Sequence, residues 1–100
     1  MKLMTKKLEK RFEQVGSQEK VKDPVIIAKF FTPFGTGRWY ATEYDPVNKT
    51  FFGYVSIFGG WDDEWGYFSL VELESGKCSF GTGIERDRHW TETKASVVIR

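Results

Sequence analysis

The chain carries one histidine, His89, and one cysteine, Cys78. A thiolate beside an imidazole makes a nucleophile–base pair, and the eleven-residue separation leaves that pairing open. Nothing around Cys78 activates it; Lys77 and Ser79 flank it in a glycine-bounded stretch. A lone histidine gives no histidine-based metal cluster. Asp62, Asp63 and Glu64 place three carboxylates in a row, but without the alternating oxygen ligands of a calcium loop. They read as an acidic turn or a protein-binding patch. Gly35-Thr36-Gly37 and Gly81-Thr82-Gly83 are too short for phosphate loops and open no helix with the required lysine. The strongest polar candidate is Glu85-Arg86-Asp87-Arg88, an extended arm with Arg86 and Arg88 on one face. That pair suits phosphate or carboxylate; the alternative is a sheet edge guarded by charge. No cofactor is implied, and the expectation is a non-enzymatic protein.

Aromatic residues offer more than the polar ones. Nine Phe, four Tyr and four Trp occur in 100 residues. Rings such as Trp39, Tyr44 and Trp90 compete for one small interior, so some are expected at the surface. Two binding surfaces follow. In the first, Trp61 and Trp65 act as apolar anchors around Asp62, Asp63 and Glu64, suited to a protein or nucleoprotein partner with a basic face. In the second, Tyr40, Phe52 and Tyr54 stack bases of single-stranded nucleic acid while Arg38, Arg86 and Arg88 meet phosphates. A formal net charge of +1 offers no general attraction to nucleic acid or an anionic membrane. Its distribution is uneven: residues 1–24 carry +3, and residues 61–76 carry −5 with no base among them.

These residues need elements to position them. Thr5 can cap a helix from about Lys6 to Val15, stopped by Gly16, with Leu8, Phe12 and Val15 as one apolar stripe. Such a short helix needs a sheet to pack on. Asp23-Pro24 holds the chain extended before a first strand, Val25 to Phe31, whose two apolar sets suggest a central position covered on both faces. A second strand, Arg38 to Tyr44, sets Trp39 and Ala41 against Arg38, Tyr40, Thr42 and Tyr44. Asp45-Pro46-Val47-Asn48-Lys49 is a hairpin-length link to a third strand, Phe51 to Phe58, and their antiparallel pairing is the firmest topological expectation. A fourth strand, Trp65 to Ser69, leads into a short helix from Leu70 to Glu74. Residues 84–90 form an edge strand or arm, and the tail is either a short helix over 94–98 or a strand over 97–99. The order indicates one α+β domain spanning residues 1–100, with an antiparallel meander of three to five strands and the amino-terminal helix on one face.

One cysteine precludes an intramolecular disulfide, and no apolar stretch approaches the ~20 residues of a membrane span. With no signal-peptide pattern at the start, the expected compartment is the cytoplasm. Several segments in order, among them Ala28-Lys29-Phe30-Phe31-Thr32-Pro33, Trp39-Tyr40-Ala41-Thr42-Glu43-Tyr44-Asp45, Thr50-Phe51-Phe52-Gly53, Gly66-Tyr67-Phe68-Ser69-Leu70-Val71-Glu72-Leu73 and Ile84-Glu85-Arg86-Asp87, resemble the domain-of-unknown-function family numbered 2958. Its members are small proteins of bacteria, phages and plasmids. The resemblance implies no catalytic residue. It implies an accessory role on a mobile element, either binding host nucleic acid or blocking a host defence complex in the manner of anti-CRISPR or anti-restriction proteins. The loop Gly59 to Trp65 is more aromatic than the family pattern, and the tail after His89 also departs from it.

Overall fold

A computed structural model describes residues 2–75 and 83–99 of the chain. Helix α1 spans Lys6–Val15. The Thr5 hydroxyl accepts from the Leu8 N–H at 3.1 Å, and the Gly16 N–H closes the last turn on Phe12 at 2.9 Å. Gly16 has φ 68°, which a residue with a side chain resists. The expected limits and stripe of this helix both hold.

The expected first strand divides in two, β1 (Val25–Ile26) and β2 (Ala28–Phe31). β3 (Arg38–Asp45), β4 (Thr50–Ser56) and β5 (Glu64–Ser69) follow, then α2 (Leu70–Ser75), β6 (Glu85–Arg86), β7 (Thr93–Lys94) and α3 (Ala95–Val98). Five strands form one antiparallel sheet in the order β5-β4-β3-β2-β6, and β1 pairs separately with β7. β2 thus has a neighbour on each side, but the middle strand is β3. The arm expected over 84–90 supplies only two sheet residues. Of the two expectations for the tail, the short helix forms and the strand over 97–99 does not.

The β3–β4 hairpin forms where its turn chemistry predicts. The Asp45 carboxylate accepts from the backbone N–H groups of Val47 and Asn48 and from the Asn48 side chain, and Lys49 takes φ 51°. Its register contains the main departure from the expected pattern. Ala41 faces Gly53 and Glu43 faces Phe52, so Thr42 is an extra residue on β3. This bulge shifts the alternation by one, because successive strand residues point to opposite faces. Tyr44, expected beside Tyr40, therefore turns to the face that holds Trp39 and Ala41.

That face is the core. Phe51 is fully buried at its centre, its ring 5.8 Å from Phe12, 5.1 Å from Phe30, 4.8 Å from Tyr44 and 5.2 Å from Phe68. Leu3 and Met4 seal it from the amino terminus, a role that no periodicity announces. The tail covers part of the opposite face, where the Trp90 ring lies 6.0 Å from Tyr40 and its indole N–H donates to the Ile26 carbonyl at 2.9 Å.

Candidate partner-binding face

Residues opposite one another in register share a face, so the outer face of the sheet follows directly from the pairing. One row runs Lys29, Tyr40, Tyr54, Trp65; the next runs Glu43, Phe52, Tyr67. The rings touch in sequence. Tyr40 and Tyr54 are 6.5 Å apart, Tyr54 and Trp65 5.4 Å, Trp65 and Phe52 6.1 Å, and Phe52 and Tyr67 5.0 Å. Trp90 extends this ladder at one end, with the Lys29 ammonium 5.8 Å from both the Tyr40 and Trp90 rings. The Tyr40–Trp90 end lies under the tail. At the other end the rings open to solvent, Trp65 being 41% and Tyr67 78% exposed.

The loop expected to grip a partner lies beyond the Trp65 end. Gly59, Gly60 and Asp62 all take positive φ, which makes a tight reversal between β4 and β5. Trp61 is 72% exposed and leans edge-on against Phe58 at 5.7 Å. The β2–β3 turn sits beside it: the Thr36 hydroxyl donates to the Ile57 carbonyl at 2.6 Å, and Thr36 lies close to Gly59. That turn carries Phe34, 95% exposed. Two adjoining turns at one end of the sheet therefore expose large rings, Phe34 on one and the touching pair Phe58 and Trp61 on the other, and sequence reasoning points to Trp61 alone. For Phe34 the available signal is a large ring set between Pro33 and Gly35, turn residues that leave it little to pack on.

Trp65 stands in β5, in line with the strand expected from Trp65 to Ser69, and packs on the sheet face. Asp63 turns inward, where the Tyr54 hydroxyl donates to its Oδ2 at 3.1 Å. Burial and this hydrogen bond push the Tyr54 hydroxyl up, keeping it a donor. The other oxygen, Asp63 Oδ1, is shielded from water and accepts no hydrogen bond among the described residues. An acceptor left so costs about 1–3 kcal/mol. Asp62 and Glu64 stay exposed.

The expected nucleic-acid set is brought together only in part. Arg38, Tyr40, Phe52 and Tyr54 share the outer face, but the Arg38 guanidinium is turned onto its own turn, donating to the carbonyls of Gly37 at 2.8 Å and Gly35 at 3.1 Å. Arg86 pairs with Phe30 and so lies on the core side, where it donates to the Leu3 carbonyl at 2.6 Å. Arg88 is exposed and lines, with Arg86, a cleft beside α1. The three arginines do not converge on the rings, because the pleat sends Arg38 and Arg86 to opposite faces.

His89 is exposed, its backbone N–H held by the Asp87 carboxylate at 3.0 Å; Cys78, its proposed partner, lies outside the described residues, as does most of Gly81-Thr82-Gly83. Among the described residues, no group of three His, Cys, Asp or Glu side chains is placed to hold a metal ion, and no helix is long and apolar enough to cross a membrane. No curated protein and no solved structure matches the chain. The family described as "Protein of unknown function (DUF2958)" matches residues 2–99, a span that takes in the sheet and its aromatic face, and the chain belongs to that family.

Proposed function

We propose that this protein is a non-enzymatic binding module, carried by a mobile element, that docks on a basic surface of a host macromolecular complex such as a defence nuclease. The observation that carries this reading is the exposure of Phe34 and Trp61 on two adjoining turns, with Asp62 and Glu64 beside Trp61. Two large rings, Phe34 and Trp61, left mostly in water at one end of a small domain are costly unless a partner covers them. Tryptophan and phenylalanine in such a position supply most of the affinity of an interface, and the acidic border selects a basic partner.

Capture from nuclease-treated host lysate tests this reading. The wild-type chain retains a specific protein, and Phe34→Ala with Trp61→Ala loses at least 30-fold in affinity, the effect of removing one anchor worth about 2 kcal/mol or more. Val47→Ala, a similarly exposed apolar position in the β3–β4 turn, leaves capture unchanged. Equal recovery by the double variant removes Phe34 and Trp61 from the interface.

Binding of single-stranded nucleic acid has one supporting observation, the open ring set of Phe52, Trp65 and Tyr67. Glu19, Glu43 and Lys22 border those rings, two carboxylates against one ammonium, which gives a phosphate backbone no net attraction. Failure to shift a labelled oligonucleotide at low salt ends that alternative.

A further inference from the structure

Away from the Trp61 loop, α1 and the β3–β4 hairpin enclose a cleft of about 650 Å³, within the ~300–1,000 Å³ range of sites that hold small ligands or single side chains. Its lining carries four carboxylates, Glu9 and Glu13 from α1 and Glu43 and Asp45 from β3, and no lysine or arginine. Glu9 and Glu13 are four residues apart and so project from the same side of the helix. Phe52 and Tyr67 form part of the opposite wall. Asp45 is engaged in its own turn. Among the described residues the one ion pair joins Arg11 to Glu92, so Glu9, Glu13 and Glu43 face the cleft without a cationic partner.

The Thr42 bulge builds this arrangement. It sends Glu43 to the outer face, in register with Phe52 and Tyr67, while Tyr44 turns inward. The Tyr44 hydroxyl is pushed up by burial and by the fields of Glu9, Glu74 and Asp45, which marks the negative potential at this place. Rings and carboxylates around one opening are the combination that takes an organic cation: a ring face attracts positive charge, and the carboxylates neutralise it.

We propose that this cleft receives the guanidinium of an arginine from a basic segment of a partner protein. A planar guanidinium lies flat on the exposed Tyr67 ring while its five N–H donors reach carboxylates on two walls, Glu13 on the helix and Glu43 on the strand. A lysine ammonium, with three donors at one point, spans the walls less well. None of Phe34, Phe58 and Trp61 lines the cleft, and its ligand does not depend on their role.

A capped ten-residue peptide of alternating arginine and glycine is the probe, titrated calorimetrically against the whole chain at low salt. It binds the wild type, and Glu13→Gln with Glu43→Gln weakens binding about 100-fold, roughly tenfold for each charge-assisted hydrogen bond removed. Tyr67→Ala, at a ring too exposed to support the fold, weakens it about fivefold. The lysine–glycine counterpart binds about tenfold more weakly. Trp61→Ala binds the arginine peptide as the wild type does, so failure of the loop interface and failure of this site are told apart. No binding to the wild type, equal binding by the glutamine double variant, equal affinity for the lysine peptide, or a loss in Trp61→Ala matching that of the double variant each overturns the assignment.

Discussion

Replacing Gln18 by leucine tests how the outer face is held in place. Gln18 sits in the polar connector after α1, yet its side chain is almost wholly buried. Its amide nitrogen donates to the carbonyls of Val25 at 2.9 Å and Thr42 at 2.8 Å, and its amide oxygen accepts from the Val25 N–H at 2.8 Å. One side chain thus clips the connector to β1 and to the bulge that aims Glu43. Leucine keeps the volume but makes none of these bonds. At about 1 kcal/mol net for each, the loss comes to about 3 kcal/mol, and groups orphaned without water raise it further. Against a total of about 5–15 kcal/mol that is a large fraction. A domain of this size loses about 4–8 °C per kcal/mol, so its thermal midpoint should fall by about 12–24 °C. Urea titration followed by tryptophan fluorescence gives the free energy independently. Gln18→Glu keeps an acceptor for the Val25 N–H but aims a carboxylate at two carbonyls, so it should destabilise at least as much. A loss below about 1 kcal/mol for leucine would mean that the clip does not hold the connector, and the reasoning fails.

Two further substitutions probe the sheet and its tail. Gly53 opposes Ala41 just before the bulge, where a Cβ would overlap the Tyr40 carbonyl, so Gly53→Ala should cost about 3 kcal/mol, the upper end for over-packing, measured by the same urea titration. Asp23 accepts from the hydroxyl and backbone N–H of Ser96 at 2.6 and 2.9 Å, hydrogen bonds that hold its carboxyl below the usual range. A carboxyl lowered in the folded state adds stability that is present above its unfolded pKa and is lost as pH falls through the folded value, hence below about pH 4. Asp23→Asn should therefore unfold with a shallower acid dependence than the wild type, and identical slopes below about pH 4 would exclude the linkage.

Much of the fold is local and can be read along the chain. The α1 limits follow from Thr5 and Gly16, the β3–β4 turn from Asp45 and Asn48, and the strands from runs of β-branched and aromatic residues. Each depends on atoms a few residues apart. At the expected partner-gripping loop, Trp61 is exposed as its glycine-rich setting suggests, and Trp65 stands in the strand expected from Trp65 to Ser69. The turn that carries Phe34 is tied to the Trp61 turn by the Thr36–Ile57 hydrogen bond, between residues 21 apart in the chain.

Composition and local spacing determined that this chain makes an α+β sheet with a capped amino-terminal helix, more rings than its interior holds, and an acidic turn. Tertiary structure decided where those groups meet. The Thr42 bulge, clipped by Gln18, reverses the faces of Glu43 and Tyr44, and an inserted residue has no signature in a period-two pattern until a partner strand counts against it. The pleat likewise sends Arg38 and Arg86 to opposite sides of the sheet, and the tail covers one end of the ring ladder while leaving the other open. Those outcomes rest on register and long-range packing, which arise only between segments distant in the chain.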